Sequence, residues 1–118
     1  MKKTDKKREK AIVETLTEVC ESALKDVDGF SWVTHLVNYN AFPQSLTIIC
    51  VFETQLRLAQ ARALNKDAYL RDIICHRMDD IGVKIKDANR SILFDTEEDC
   101  VMENRGQWQQ RFSVKYGH

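Results

Sequence analysis

Between Leu46 and Glu53 the chain reads LTIICVFE, and from Ile48 to Phe52 every residue is apolar. A run this short, bounded by Pro43 and Thr54 and rich in β-branched residues, suits a central strand rather than a helix. It is also far too short to cross a bilayer, and no longer apolar run exists in the sequence. The segment before it, SWVTHLVNY over 31–39, supplies a second strand. Its alternation puts Trp32, Thr34, Leu36 and Asn38 on one face and Val33, His35, Val37 and Tyr39 on the other. The link NAFPQS holds the only proline, which stops pairing there and predicts an antiparallel hairpin with a loop of about five residues.

Helical spacing dominates elsewhere. Ile12, Leu16, Val19, Cys20, Ala23, Leu24 and Val27 recur every three or four residues, which predicts a helix over 5–27. Thr4 or Asp5 would cap it and Asp28-Gly29 would end it. The first ten residues have nothing to bury and are expected to fray. A helix over 55–64, capped by Thr54, would bury Leu56, Ala59, Ala63 and Leu64. A second over 68–81 would bury Leu70, Ile73, Ile74, Met78 and Ile81 and end at Gly82. Val83 to Lys86 alternates apolar and basic residues. RSILF, 90–94, reads as a third strand. Thr96 with Asp99 can open a short helix, and a last helix runs from Gln107 to about Ser113.

The order is therefore α-β-β-α-α-β with a helical C-terminal tail over 95–118. This predicts an α+β chain whose three-stranded sheet carries helices on one face. At 118 residues with 43% hydrophobic content, a single domain over 1–118 is expected. The tail ENRGQWQQRFSVKYGH places Trp108 and Phe112 four apart, on one helix face. Such an aromatic ridge is expected to bury against the domain, with Arg111 and Lys115 flanking it in solvent.

Chemistry-bearing motifs are sparse. There is no phosphate-binding loop, no GxSxG and no HExxH. Cys75 and His76 are adjacent on a helix and point about 100° apart, so they do not face each other as nucleophile and base. The cysteines at 20, 50, 75 and 100 form no CxxC and fit no zinc spacing. Four free thiols, no metal, no cofactor, no small-molecule substrate and no enzymatic activity are expected. Residues 2–10 have the basic start of a secretion signal, but the stretch after them is amphipathic and carries Glu14, Glu18 and Glu21. A cytoplasmic location without membrane contact is the expectation.

Net charge is zero, yet charge is blocked along the chain. Residues 1–10 carry +4, 11–53 carry −5, 54–94 carry +3, 95–104 carry −5 and the last fourteen +3. Blocks of this kind create local patches on a neutral molecule. Arg62, Lys66 and Arg71 gather at the predicted helix–helix junction, ARALNKDAYLR, where helix termini and basic side chains suit a phosphate backbone. Lys6, Lys7 and Arg8 belong to a basic arm that could track the same backbone.

The element order resembles the type II KH arrangement, especially that of the ribosome-binding factor A family. A GxxG loop grips nucleic acid in KH domains; here ALNKD stands at that junction, and ribosome-binding factor A also lacks the loop. The stretches WVTHLVNYNAFPQSLTIICVFET and FDTEEDC…NRGQWQQRF resemble a small bacterial family sometimes labelled Fis-like transcription regulators. The tail's Asn104-Arg105-Gly106, Arg111, Phe112 and Lys115-Tyr116-Gly117 are similar to a Fis recognition helix. The resemblances imply RNA or the ribosome as partner, or duplex DNA. A protein-protein adaptor or homodimer, joined through a sheet edge or the aromatic tail, is the reading without nucleic acid.

Overall fold

The computed structural model describes residues 2–118 and has the predicted α+β architecture. Helix α1 (Lys3–Asp26) leads into strand β1 (Phe30–Leu36), a single 3-10 turn (Tyr39–Ala41) and β2 (Thr47–Phe52). Helices α2 (Gln55–Ala63), α3 (Lys66–Asp80) and the one-turn α4 (Ala88–Ser91) follow. Strand β3 (Ile92–Thr96) then feeds α5 (Glu97–Asn104) and α6 (Trp108–Tyr116). The sheet order is β1-β2-β3, antiparallel between β1 and β2 and parallel between β2 and β3. The apolar run is thus the middle strand, and Ile48 to Phe52 are completely buried.

A central strand apolar on both faces needs cover on both. Ile48, Cys50 and Phe52 face α1, α2 and α3, where Ile12, Leu16, Val19, Leu70, Ile74 and Met78 complete the main core. Ile49 and Val51 face the other way, with Leu36 and Trp32, and the C-terminal helix covers them with Trp108, Phe112 and Tyr116. The tail therefore closes the second face of the sheet. An irregularity in the β1–β2 register between Phe30 and Trp32 serves both layers. Phe30 meets Phe52 edge to face at 5.9 Å on the helical side, while Trp32 meets Trp108 at 4.8 Å on the other.

Several boundaries differ from the sequence reading, each for a tertiary reason. The first ten residues are helical from Lys3 rather than frayed. Glu9 accepts hydrogen bonds from His35 Nε2 at 2.8 Å and Tyr39 Oη at 2.7 Å, and the Arg8 guanidinium lies 4.8 Å from the Phe42 ring centre. These contacts hold the basic segment against the end of β1. That strand stops at Leu36, because Asn38 caps the 3-10 turn and binds Ser45, giving a longer connection than a five-residue loop. In α2 the buried residue is Ala61, with Leu58 half-buried beside it, whereas the expected stripe of Leu56, Ala59, Ala63 and Leu64 is exposed. Lys84 and Lys86 join no strand, and 88–91 forms a helical turn capped by Asp87, so β3 begins at Ile92.

Arg111 is the largest departure. Expected in solvent, it is 1% exposed. Its Nε and Nη2 donate to the two oxygens of Asp95 at 2.7 and 2.8 Å, and Nη1 donates to Glu103 and Asn104 at 2.8 Å each. Tyr116 Oη donates to Asp95 at 2.6 Å. Trp32 and Trp108 both donate to the Glu97 carboxylate. No buried side-chain nitrogen or oxygen among the described residues lacks a partner, so the second layer is a satisfied polar network laid over an aromatic cluster.

The four cysteines are unpaired: Cys50 and Cys100 are buried, Cys20 and Cys75 half-buried. Burial pushes the Cys50 thiol up to about 12. A thiolate is the reactive species. Alkylation of dilute native protein should therefore modify Cys20 and Cys75, and reach Cys50 and Cys100 only after denaturation. Peptide mass spectrometry reads this directly, and native labelling of Cys50 at the rate of Cys20 would contradict the packing described.

Candidate nucleic-acid interface

The α2–α3 junction turns on Leu64 and Asn65, with Asn65 in the left-handed region at φ 59. Asparagine tolerates that conformation better than most residues. The tight turn lays α2 and the start of α3 beside β3, whose outer edge pairs with no strand among the described residues. Arg62 from α2 and Arg71 from α3 both reach the ring of Phe94 on β3, with guanidinium carbons 5.4 and 4.8 Å from its centre. Arg71 also donates to the Ile92 carbonyl at 3.4 and 3.3 Å and lies 3.9 Å from Asp67. Arg62 is exposed, and its side chain makes no hydrogen bond or ion pair among the described residues. One arginine is thus held in place and the other is free, on a shared aromatic ring.

Beyond the other end of β3 lies a groove of about 490 Å³ lined by Pro43, Leu46, Lys84, Ile85, Lys86 and Arg90, among others. Lys84 is tied to Asp79 at 2.8 Å, and the Asp87 carboxylate caps the backbone N–H of Arg90. Lys86 and Arg90 are exposed and have no carboxylate partner among the described residues. Arg62 and Arg71 thus share Phe94 on β3, while Arg90, on the helical turn that leads into the strand, borders this basic groove. Phe94, Lys86 and Arg90 were not singled out from sequence. The alternation VKIKDANR before the strand was the signal that could have found the last two.

The other predicted residues lie elsewhere. Lys66 stacks on Tyr69 at 5.4 Å and borders a separate cavity of about 390 Å³ with Asp26, Asp28 and Arg57. Lys6, Lys7 and Arg8 sit on the first turns of α1. Lys66 neighbours the last turn of that helix, and eighteen residues of helix separate Arg8 from Asp26, roughly 27 Å. The arm and the junction are two regions rather than one site. On α6, Trp108, Phe112 and Tyr116 are turned into the sheet and Arg111 is buried, whereas Arg105 and Lys115 of the Fis-like stretch are exposed.

His35 serves the Glu9–Tyr39 cluster, and His76 Nδ1 lies 3.0 Å from the Asp72 carbonyl of its own helix. Burial works against ionisation of Glu9, but the hydrogen bonds from His35 and Tyr39 prevail and hold its carboxyl below the usual range. The cluster clamps α1 to the end of β1. Among the described residues no group of three or more His, Cys, Asp or Glu side chains is placed to hold a metal, and no helix is long and apolar enough to cross a membrane. Comparison with protein-family models, curated proteins and solved structures finds no match to any of them.

Proposed function

We propose that the chain is a small, non-enzymatic RNA-binding protein that contacts single-stranded RNA, free or within the ribosome, along the open edge of β3. The observation that carries this reading is the convergence of Arg62 and Arg71, from two helices, on Phe94. Guanidinium groups pair with phosphate, and aromatic rings and arginine planes stack on unpaired bases. Arg90 and Lys86 add basic groups at the groove before the same strand. The KH-like element order agrees with this use of a helix–helix junction. Four unpaired thiols suit a cytoplasmic setting.

Salt dependence tests it. Each phosphate contact on a single strand contributes a slope of about −0.7 in log affinity against log salt. Arg62→Ala and Arg90→Ala should each reduce the slope by about that amount and weaken binding to all sequences alike. Thermal unfolding of both variants should match the parent, because neither side chain is buried. Absence of binding to any single-stranded RNA or ribosomal particle at low salt removes the reading.

A further inference from the structure

The side of the molecule formed by α1 and β1 is distinct from the β3 edge and has its own pattern. Toward the core α1 presents Ile12, Leu16, Val19 and Ala23. A second stripe at three- and four-residue spacing, Lys6, Lys10, Val13, Thr17, Cys20 and Leu24, follows the outer side of the helix. Val13 is 46% and Leu24 55% exposed. Val13, Thr17 and Cys20 border a groove of about 320 Å³ whose other wall is Val33, Thr34 and His35 of β1. Among the described residues that strand pairs only with β2, which leaves its outer edge open. Its sequence, FSWVTHL, has none of the lysine, acidic or proline residues that keep open edges from pairing.

Charge decides what fits there. The first turns of α1 hold Lys3, Lys6, Lys7, Arg8 and Lys10 against Asp5, beside Arg8, and Glu9, which is turned to His35 and Tyr39. From residue 11 to 28 the balance reverses, with Glu14, Glu18, Glu21, Asp26 and Asp28 against Lys25 alone. A helix basic in one half and acidic in the other is complementary to a copy of itself running the opposite way. A parallel copy would set like charge against like.

We propose that this side is a homodimer surface, with α1 antiparallel to the α1 of a second copy about a twofold axis near Thr17. Such an interface is isologous, each copy giving and receiving the same contacts. Lys10 then faces the turn that holds Glu21 and Leu24, while Lys6 approaches Asp28. Val13 and Cys20 meet on either side of the axis. The β3 edges lie at the far ends of the pair.

Sedimentation equilibrium of the full chain should show a dimer that weakens as salt rises, because the pairs at the rim are screened. Thr17→Cys, placed in a Cys20→Ser, Cys75→Ser chain, should cross-link to its own copy on mild oxidation, since a residue on a twofold axis meets itself. Lys25→Cys in the same background, off the stripe, should not. Lys6→Glu with Lys10→Glu should weaken the dimer at least about tenfold. Adding Glu21→Lys and Asp28→Lys to that chain should restore it, because the reversed helix is again self-complementary. A monomer at about 100 μM with no Thr17→Cys cross-link overturns the proposal. So does a dimer indifferent to both charge reversal and salt.

Discussion

Arg111→Met should be among the most destabilising single substitutions in this chain. It removes both guanidinium hydrogen bonds to Asp95, a carboxylate 3% exposed on the inner side of α6. Breaking a buried ion pair from one side strands the remaining charge, at a cost of about 3–5 kcal/mol. For a domain of this size that corresponds to a fall of about 10–20 °C in melting temperature, limited by the free energy with which α6 docks. Asp95→Ala should cost a similar amount, and the double variant Asp95→Leu, Arg111→Met clearly less than the sum. The pH profile identifies the cause. Burial alone would raise the Asp95 carboxyl, but the bonds from Arg111, Tyr116 and the Thr96 N–H prevail and hold it below its ordinary 3.8. Its contribution is therefore complete above pH 3.8 and is lost as pH falls toward the depressed folded value. In Arg111→Met burial is no longer offset in full, so the carboxyl rises, and this variant should recover stability between neutral pH and about pH 5 where the parent does not. Equal losses at every pH would place the cost in packing rather than in the charge.

Removal of 107–118 should cost still more. The truncation strands Asp95 and also uncovers Leu36, Ile49 and Val51 on the second face of the sheet. Those side chains would join Trp32 in an exposed apolar patch, a surface that drives association. The expected product melts lower than Arg111→Met, binds a hydrophobic dye and aggregates with concentration. Trp108→Ala separates the contributions: it removes the edge-to-face contact with Trp32 and one bond to Glu97 while leaving Arg111 in place, and should cost about 3 kcal/mol. A truncated protein of unchanged stability that had lost sequence-specific duplex binding would instead favour the Fis-like use of α6.

Local pattern was enough for the elements whose partners are near in sequence. The α3 stripe through Leu70, Ile74 and Met78 (though not the expected Ile81, which is exposed), the two faces of β1 as far as Leu36 and the Thr96 cap, which accepts from the Asp99 N–H at 3.0 Å, all arise from short-range spacing. What the sequence concealed depends on distant residues. Glu9 finds its partners on β1 and the turn after it, 26 and 30 positions on, and without them the basic segment reads as a solvated arm. Arg111 looks like one more surface cation until Asp95, sixteen residues earlier, is seen on the covered face of the sheet. The candidate interface was half legible. Arg62 and Arg71 are marked by charge and by their place at a junction, but Phe94 reads only as a strand residue. It joins them because the turn at Asn65 lays both helices against β3.

The Asp95 network also sets an order of events during synthesis. Chains are made from the N-terminus, and Asp95 is in place well before Arg111 and Tyr116 have been added. Until then its carboxylate has only the neighbouring Thr96 N–H among its folded partners, and burial would leave its charge uncompensated. The layer over Ile48, Cys50 and Phe52 draws on no residue of α6; the layer over Ile49 and Val51 is built from Trp108, Phe112 and Tyr116. Helix α6 thus completes the second layer, since a chain without it carries an unneutralised charge on an open sheet, the kind of surface that chaperones and proteases engage.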